Sequence, residues 1–109
     1  MAWFLYRVVA VRPEMAWEGP TAEESEVVSR HFEYLQGLAR EGTALLFGRT
    51  TNADYSTFGI AIFRAESEDA AREIMQDDPA VQERVMRGEL YPYRIAGFSA
   101  DAARDLSSG

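Results

Sequence analysis

The sequence has no cysteine and only one histidine among its 109 residues. Without cysteine, the protein has no disulfide, no thiol nucleophile and no cysteinyl metal site. A single histidine also excludes a multi-histidine metal centre, although a carboxylate site for a hard cation stays open. Our prediction is a protein that works without a resident metal ion or organic cofactor.

Basic residues are few: there are 11 Lys and Arg against 18 Asp and Glu, and the net charge is −7. Nucleic acids and anionic membrane surfaces bind through clustered basic side chains. The candidate clusters here, Arg84 with Arg87 and Arg30 with Arg40, lie among glutamates. This pattern argues against nucleic acid and membrane partners, so a small-molecule ligand or substrate is the expected partner.

Long hydrophobic runs are absent as well. The apolar segment 1–12 is too short to cross a bilayer, contains Arg7 and lacks the basic region that begins a signal peptide. We therefore expect a cytoplasmic location. The length fits one domain, and a hydrophobic content of 47% is enough for a packed core.

Strands and helices are both indicated by local patterns. Segments rich in β-branched and aromatic residues predict four strands, at 3–11, 43–51, 57–64 and 89–98. Capping residues predict three helices, at 21–41, 67–76 and 78–88. Thr21 with Glu24 forms a capping box, and Asp78-Pro79 has the cap and first residue of a short helix.

The order of these elements is β-α-β-β-α-β with a helical turn before the last strand, which is the ferredoxin-like arrangement. We predict an α+β fold with an antiparallel four-stranded sheet and two main helices on one face. Residues 1–98 would form this domain. Residues 99–109 are small and polar, so we predict a flexible C-terminal tail.

Both faces of the predicted sheet are apolar. In the first strand, Trp3, Leu5 and Val9 point to one side, and Phe4, Tyr6 and Val8 to the other. Two helices cover only one face, and the other would form a larger apolar patch than monomers usually expose. We predict a homodimer whose sheets pack together into a dimeric α+β barrel. The alternative is that loop 13–20 and the tail cover this face.

His31 and Asp78 are the main candidates for chemistry. His31 falls in the apolar stripe of the first long helix, and Asp78 continues the stripe of the second, four residues after Ile74. Because a buried carboxylate needs a partner, we expect a His31–Asp78 pair that orients a general base. The simpler roles of core histidine and helix cap stay open for the two residues.

Four more residues are candidates for binding a substrate. Arg49 follows Gly48 and would clamp an anionic group, or is a surface charge. Tyr6 and Tyr93 lie in predicted strands and would line a pocket, or pack in the core. Trp17 would cover the pocket as a lid, or anchor its loop.

Several short motifs lie between residues 3 and 98: Arg30-His31, Tyr34-Leu35, Leu38, Gly42, Leu46-Phe47-Gly48, Ala70-Ala71, Asp78-Pro79 and Tyr91-Pro92-Tyr93. Together they resemble the YCII-related family. The resemblance implies ferredoxin-like protomers that form dimeric α+β barrels, with His31 and Asp78 as the active pair. Relatives in this superfamily include a dechlorinating enzyme for a chlorinated muconate-type acid, and muconolactone isomerases share the architecture. The chain departs from many members at Val28 and at Gly48-Arg49.

Two functional hypotheses follow. The first is a cofactor-independent lyase or isomerase that moves a proton on a small unsaturated or keto acid, with His31 as the general base and Asp78 as its orienting partner. The second is a non-catalytic module that holds a small metabolite in the same pocket. An open, water-accessible side on His31 would favour the enzyme, and a fully packed His31 would favour the module.

Overall fold

A computed structural model describes residues 1–108 of the chain. It contains four strands: β1 at Ala2–Ala10, β2 at Ala44–Arg49, β3 at Gly59–Ala65 and β4 at Met86–Pro92. It contains five helices: α1 at Met15–Glu18, α2 at Ala22–Arg40, α3 at Glu68–Gln76, α4 at Pro79–Gln82 and α5 at Ala100–Ser108. Within this part of the chain, no helix is both long enough and apolar enough to cross a membrane.

The strands form one antiparallel sheet in the order β2-β3-β1-β4. Strand β1 is central and pairs with β3 on one side and β4 on the other, in keeping with its apolar residues on both faces. Helices α2 and α3 pack on one face of the sheet. The predicted α+β fold and its ferredoxin-like order are therefore confirmed.

The core lies between this face and the two helices. From β1 it contains Phe4, Tyr6 and Val8, and from β3 it contains Ala61, Phe63 and Ala65. From the helices it contains Leu35, Leu38, Ala71 and Met75. The alternating residues of β1 and β3 supply the sheet side of this layer, because successive side chains of a strand point to opposite faces.

The predicted helix starts are present. Thr21 and Glu24 form the full capping box of α2, and the Ser67 side chain accepts a hydrogen bond from the Ala70 N–H at the start of α3. These caps satisfy backbone N–H groups that have no partner inside the helix. Sequence signals therefore located both main helices within one residue.

The fourth strand and the helix before it differ from the prediction. Helix α4 stops at Gln82, where we expected it to continue to about 88, and β4 covers 86–92 rather than 89–98. Arg84 has a φ of 61° and turns the chain after α4. Gly88 belongs to the strand instead of ending a helix. A Cβ there would lie 2.9 Å from the Met75 sulfur, so the packing of α3 on β4 requires a glycine at this position.

Two segments expected to lack regular structure contain helix. The loop 13–20 includes α1, and the predicted tail includes α5. The described side chains of α5 are exposed apart from the partly buried Ala103, and Leu106 is 82% exposed. The flexibility of this segment and the domain boundary at residue 98 stay predictions.

The face of the sheet opposite α2 and α3 is here called the open face. Its coverage is uneven: Ile62 is only 8% exposed, whereas Leu46 and Tyr91 are 42% and 45% exposed. Arg7 lies on this face, 2.8 Å from Glu89 and over the ring of Phe58. The open face therefore combines apolar side chains with one ion pair near its centre, and its exposed side chains lie toward its edges.

Candidate active site

Asp78 lies in the turn that joins α3 to α4. Its extended backbone makes it the N-cap of α4, with Pro79 as the first helical residue. The carboxylate Oδ1 accepts a hydrogen bond from the Ala80 N–H at 2.9 Å, and the side chain is fully buried. The local sequence therefore places a carboxylate inside the protein at a helix start, where positive partial charge favours it.

His31 reaches this carboxylate from α2. Its Nδ1 lies 2.8 Å from both oxygens of Asp78, although the two residues are 47 positions apart in the chain. The contact forms where α2 packs against α4. The His31 side chain keeps 14% of its surface exposed, while Asp78 has none. The two residues that the helical stripes singled out therefore meet within one chain.

Tyr6 makes a third contact with the same carboxylate. Its hydroxyl donates a hydrogen bond to Asp78 Oδ2 at 2.7 Å. Burial raises the pKa of Tyr6 well above its ordinary value, and the charge of Asp78 and this hydrogen bond raise it further. Asp78 thus has three polar partners: an imidazole, a phenol and a backbone N–H.

Tyr34 flanks this group of residues without contacting Asp78 directly. Its hydroxyl donates to the backbone oxygen of Ile74 at 2.6 Å. Burial raises the pKa of Tyr34 first, and the charges of Asp77 and Asp78 add to the increase. Tyr34 therefore connects α2 to α3 beside the His31–Asp78 pair.

A cleft of about 980 Å³ opens beside His31, at the end of the sheet where β1 finishes. Residues of β1 from both faces of the sheet line it, together with α2, loop 13–20 and the loop between β2 and β3. His31 and Tyr6 are part of its wall. The cleft thus extends around the end of the sheet, and the imidazole is part of its wall on the helix side.

The structure brings one more predicted residue to this cleft and leaves two away from it. Arg49 lines the cleft, is exposed and donates a hydrogen bond to the backbone oxygen of Thr50. Tyr93 does not line it, because β4 ends at Pro92 and the Tyr93 N–H bonds to Trp3 at the opposite end of β1. Trp17 does not line it either, although its neighbours Met15 and Ala16 do.

Aromatic residues that the sequence reading did not select also line the cleft. Phe32 and Phe47 form an edge-on pair with ring centroids 5.8 Å apart, and Phe58 and Tyr55 line other parts of the cleft. Phe32 is 52% exposed although it follows His31 directly. Phe32 was the sequence signal for these aromatic residues, because it lies beside the apolar stripe of α2 and not within it.

The chemistry of the His31–Asp78 contact follows from the nature of its groups. A carboxylate only accepts hydrogen bonds, so the contact requires the proton of a neutral imidazole to be on Nδ1. Nε2 then carries the lone pair and is able to take a proton from a ligand. Within residues 1–108, no group of three or more His, Asp and Glu side chains is arranged to hold a metal ion.

Comparisons with known proteins agree with this architecture. The sequence model of the YCII-related domain matches residues 6–96. The structure is similar to 5-chloro-2-hydroxyhydroquinone dehydrochlorinase of Burkholderia phenoliruptrix AC1100 in complex with 2,5-dihydroxybenzoquinone, at 20% identity, covering 84% of this chain and 93% of that one, with a TM-score of 0.62. It is also similar to muconolactone isomerase, at 17% identity, covering 90% and 94%, with a TM-score of 0.61. No curated protein matches the sequence. At these identities the similar structures support the fold.

Proposed function

Because the chain belongs to the YCII-related family, we propose that it is a cofactor-independent enzyme for a small unsaturated or keto acid. The reaction would be a lyase or isomerase step, in which a proton moves at a carbon next to a carbonyl or carboxylate. Two similar structures are named as a dehydrochlorinase and an isomerase, and these names agree with that reaction class.

One observation carries the proposal: His31 contacts the buried Asp78 at 2.8 Å and yet lines an open cleft. Asp78 would hold the imidazole with its proton on Nδ1, and Nε2 would act as the general base toward a ligand in the cleft. A histidine that only packs in a core has no need of an open side. The 14% exposure of His31 therefore favours the enzyme over the binding module.

Arg49 is the proposed anchor for the substrate acid. Its side chain is exposed on the cleft wall, and among the described residues it makes no ion pair with a carboxylate. A guanidinium binds a carboxylate through two parallel hydrogen bonds, which would fix the orientation of the substrate. In a chain with a net charge of −7, an arginine without an ion pair gives the cleft a local positive charge that would favour an anionic ligand.

The test is turnover of a panel of small unsaturated and keto acids, chlorinated ones included, followed by spectrophotometry and product analysis. We expect His31→Gln to lower kcat by about 100-fold or more, since general base catalysis typically contributes 10²–10⁴-fold. Asp77→Asn is the matched control, because Asp77 is adjacent to Asp78 but exposed. Equal turnover in His31→Gln and wild type would refute the proposal, and binding without turnover would favour the module.

We also propose that two copies pair through the open face. The support is the apolar residues of this face, the exposure of Leu46 and Tyr91 at its edges and the absence of α2 and α3 from it. Sedimentation at micromolar concentration should give twice the mass of one chain. Leu46→Glu should shift the population toward monomer, whereas Leu106→Glu on α5 should not. A monomeric wild type would refute this pairing.

A further inference from the structure

The geometry points to Tyr6 as a positioning residue: we propose that its hydroxyl fixes the plane of the Asp78 carboxylate, and so the orientation of His31. Tyr6 lies 72 residues from Asp78 in the chain. The proposal deepens the proposed function, because it concerns the same site. Its test reads the histidine ring itself and therefore does not depend on finding the substrate.

The first step is that Tyr6 is held rigidly. It lies in the middle of the central strand, where it pairs with Ala61 of β3 and Leu90 of β4. Its side chain is 1% exposed, and its ring packs edge-on against Phe63 at a centroid distance of 5.6 Å. The sheet therefore sets the position of the Tyr6 hydroxyl with little freedom to adjust.

The second step is the division of donors between the two oxygens of Asp78. Oδ1 accepts from the Ala80 N–H at 2.9 Å and Oδ2 accepts from the Tyr6 hydroxyl at 2.7 Å. Rotation of a carboxylate about its Cβ–Cγ bond is broad in preference, so one donor does not fix its plane. A donor on each oxygen does. His31 Nδ1, 2.8 Å from both, then meets a carboxylate whose plane is already set.

The third step is that the Tyr6 hydroxyl donates a hydrogen bond but does not transfer a proton. Burial and the neighbouring Asp78 raise the pKa of Tyr6, so the phenol keeps its proton at neutral pH. It donates a hydrogen bond but is a poor source or acceptor of protons. Tyr6 thus acts through Asp78 and does not itself transfer the proton, even though its ring is part of the cleft wall.

Core packing is the competing explanation of Tyr6, and one substitution separates the two. Tyr6→Phe keeps the ring against Phe63 and removes only the hydroxyl. Tyr34→Phe is the matched control: Tyr34 is also partly buried, and its hydroxyl donates to the Ile74 backbone oxygen rather than to Asp78. A packing role would leave the imidazole of His31 equally unaffected by both substitutions.

The experiment is nitrogen-15 NMR of the imidazole, whose signals need no assignment because the chain has one histidine. We expect the neutral ring in wild type to hold its proton on Nδ1. In Tyr6→Phe the fraction with the proton on Nδ1 should fall. The Asp78 carboxylate would then rotate more freely, so the hydrogen bond between Nδ1 and Asp78 would form in a smaller fraction of the molecules. Asp78→Asn should lower that fraction further, and Tyr34→Phe should match wild type.

Identical ring nitrogen shifts in a folded Tyr6→Phe and in wild type would overturn the proposal. If Tyr6→Phe does not fold, the second measurement is the rate at which the Tyr6 hydroxyl proton exchanges with water. This exchange should be slow in wild type and in Tyr34→Phe, and rapid in Asp78→Asn. A rapidly exchanging hydroxyl in wild type would overturn the proposal as well. Absence of turnover with any acid would count against the proposed function alone.

Discussion

The neighbouring residues Tyr6 and Arg7 of β1 point to opposite faces of the sheet. Each donates a hydrogen bond to a carboxylate from another part of the chain. On the helix side, Tyr6 donates to Asp78, which also contacts His31. On the open side, Arg7 donates to Glu89, which also accepts from the hydroxyl of Tyr91 at 3.0 Å. Each carboxylate therefore has one tyrosine and one nitrogen-bearing side chain as partners.

The two groups differ in burial rather than in distance. Nδ1 of His31 and Nη1 of Arg7 each lie 2.8 Å from their carboxylate. Asp78 is fully buried, whereas the Glu89 side chain is 41% exposed and that of Arg7 is 37% exposed. Water competes for Glu89 and screens its charge, while Asp78 depends on its protein partners alone. Similar contacts thus have different consequences for stability and chemistry.

The largest difference should appear when each carboxylate is removed. Asp78→Ala leaves the Tyr6 hydroxyl and the Ala80 N–H without acceptors in the interior. We expect the free energy of unfolding to fall by on the order of 3 kcal/mol, as for other buried pairs that lose one partner. In the monomer, Glu89→Ala should have a much smaller effect because its partners are hydrated. Urea unfolding of both variants measures the difference, and equal losses would contradict the comparison.

The two tyrosines should respond differently to alkali. The raised pKa of Tyr6 means that the hydroxyl stays protonated in the folded chain after it has ionised in the unfolded chain. Its contribution to stability is thus complete below about pH 10 and falls above it, by about 1.4 kcal/mol per pH unit for one proton. Tyr6→Phe should flatten this loss between pH 10 and 11. Tyr91→Phe should flatten it less, since Tyr91 is exposed and its pKa is raised mainly by its hydrogen bond to Glu89.

Unfolding by urea at several pH values from 8 to 11 gives the slopes for wild type and the two variants. The control is Tyr34→Phe, whose raised pKa also arises from burial and should flatten the slope as well. If none of the three substitutions alters the slope of the free energy of unfolding against pH, other groups control the loss of stability at alkaline pH. The contrast between Tyr6 and Tyr91 would then be wrong.

The smallest expected effect is the salt dependence of the Arg7–Glu89 pair. At protein concentrations low enough for the chain to be monomeric, the open face is hydrated, and the stability difference between wild type and Glu89→Gln should vanish as ionic strength rises from low values to about 1 M. The lowered pKa of Glu89, caused by Tyr91 and Arg7, has the same origin in exposed contacts. A difference that persists at high salt would indicate that the pair is buried between two copies, which would support the homodimer.

Local signals in the sequence were sufficient for the elements themselves. Thr21 with Glu24 and the Ser67 cap located the main helices, whereas the strand pattern, apolar on both faces, did not tell which face of β1 forms the core. The helical stripes also brought out His31 and Asp78, since a polar residue within an apolar stripe has to find its partner inside the fold. Patterns of this kind depend on neighbours within a few residues, which a sequence displays directly.

Contacts between distant elements decided the rest. Met75 of α3 occupies the space that a side chain at 88 would need, so a glycine is required where α3 packs on β4. Strand β4 ends at Pro92, which leaves Tyr93 beyond the strand and away from the cleft. The hydroxyl of Tyr6 donates its hydrogen bond to Asp78 only because β1 and the start of α4 meet across the core. By itself, the sequence determined the order of the elements and the two polar residues, His31 and Asp78, that needed partners inside the fold. The tertiary structure decided which face of the sheet is covered and which partners these residues have, because hydrogen-bond geometry between residues 72 positions apart depends on the packing of whole elements.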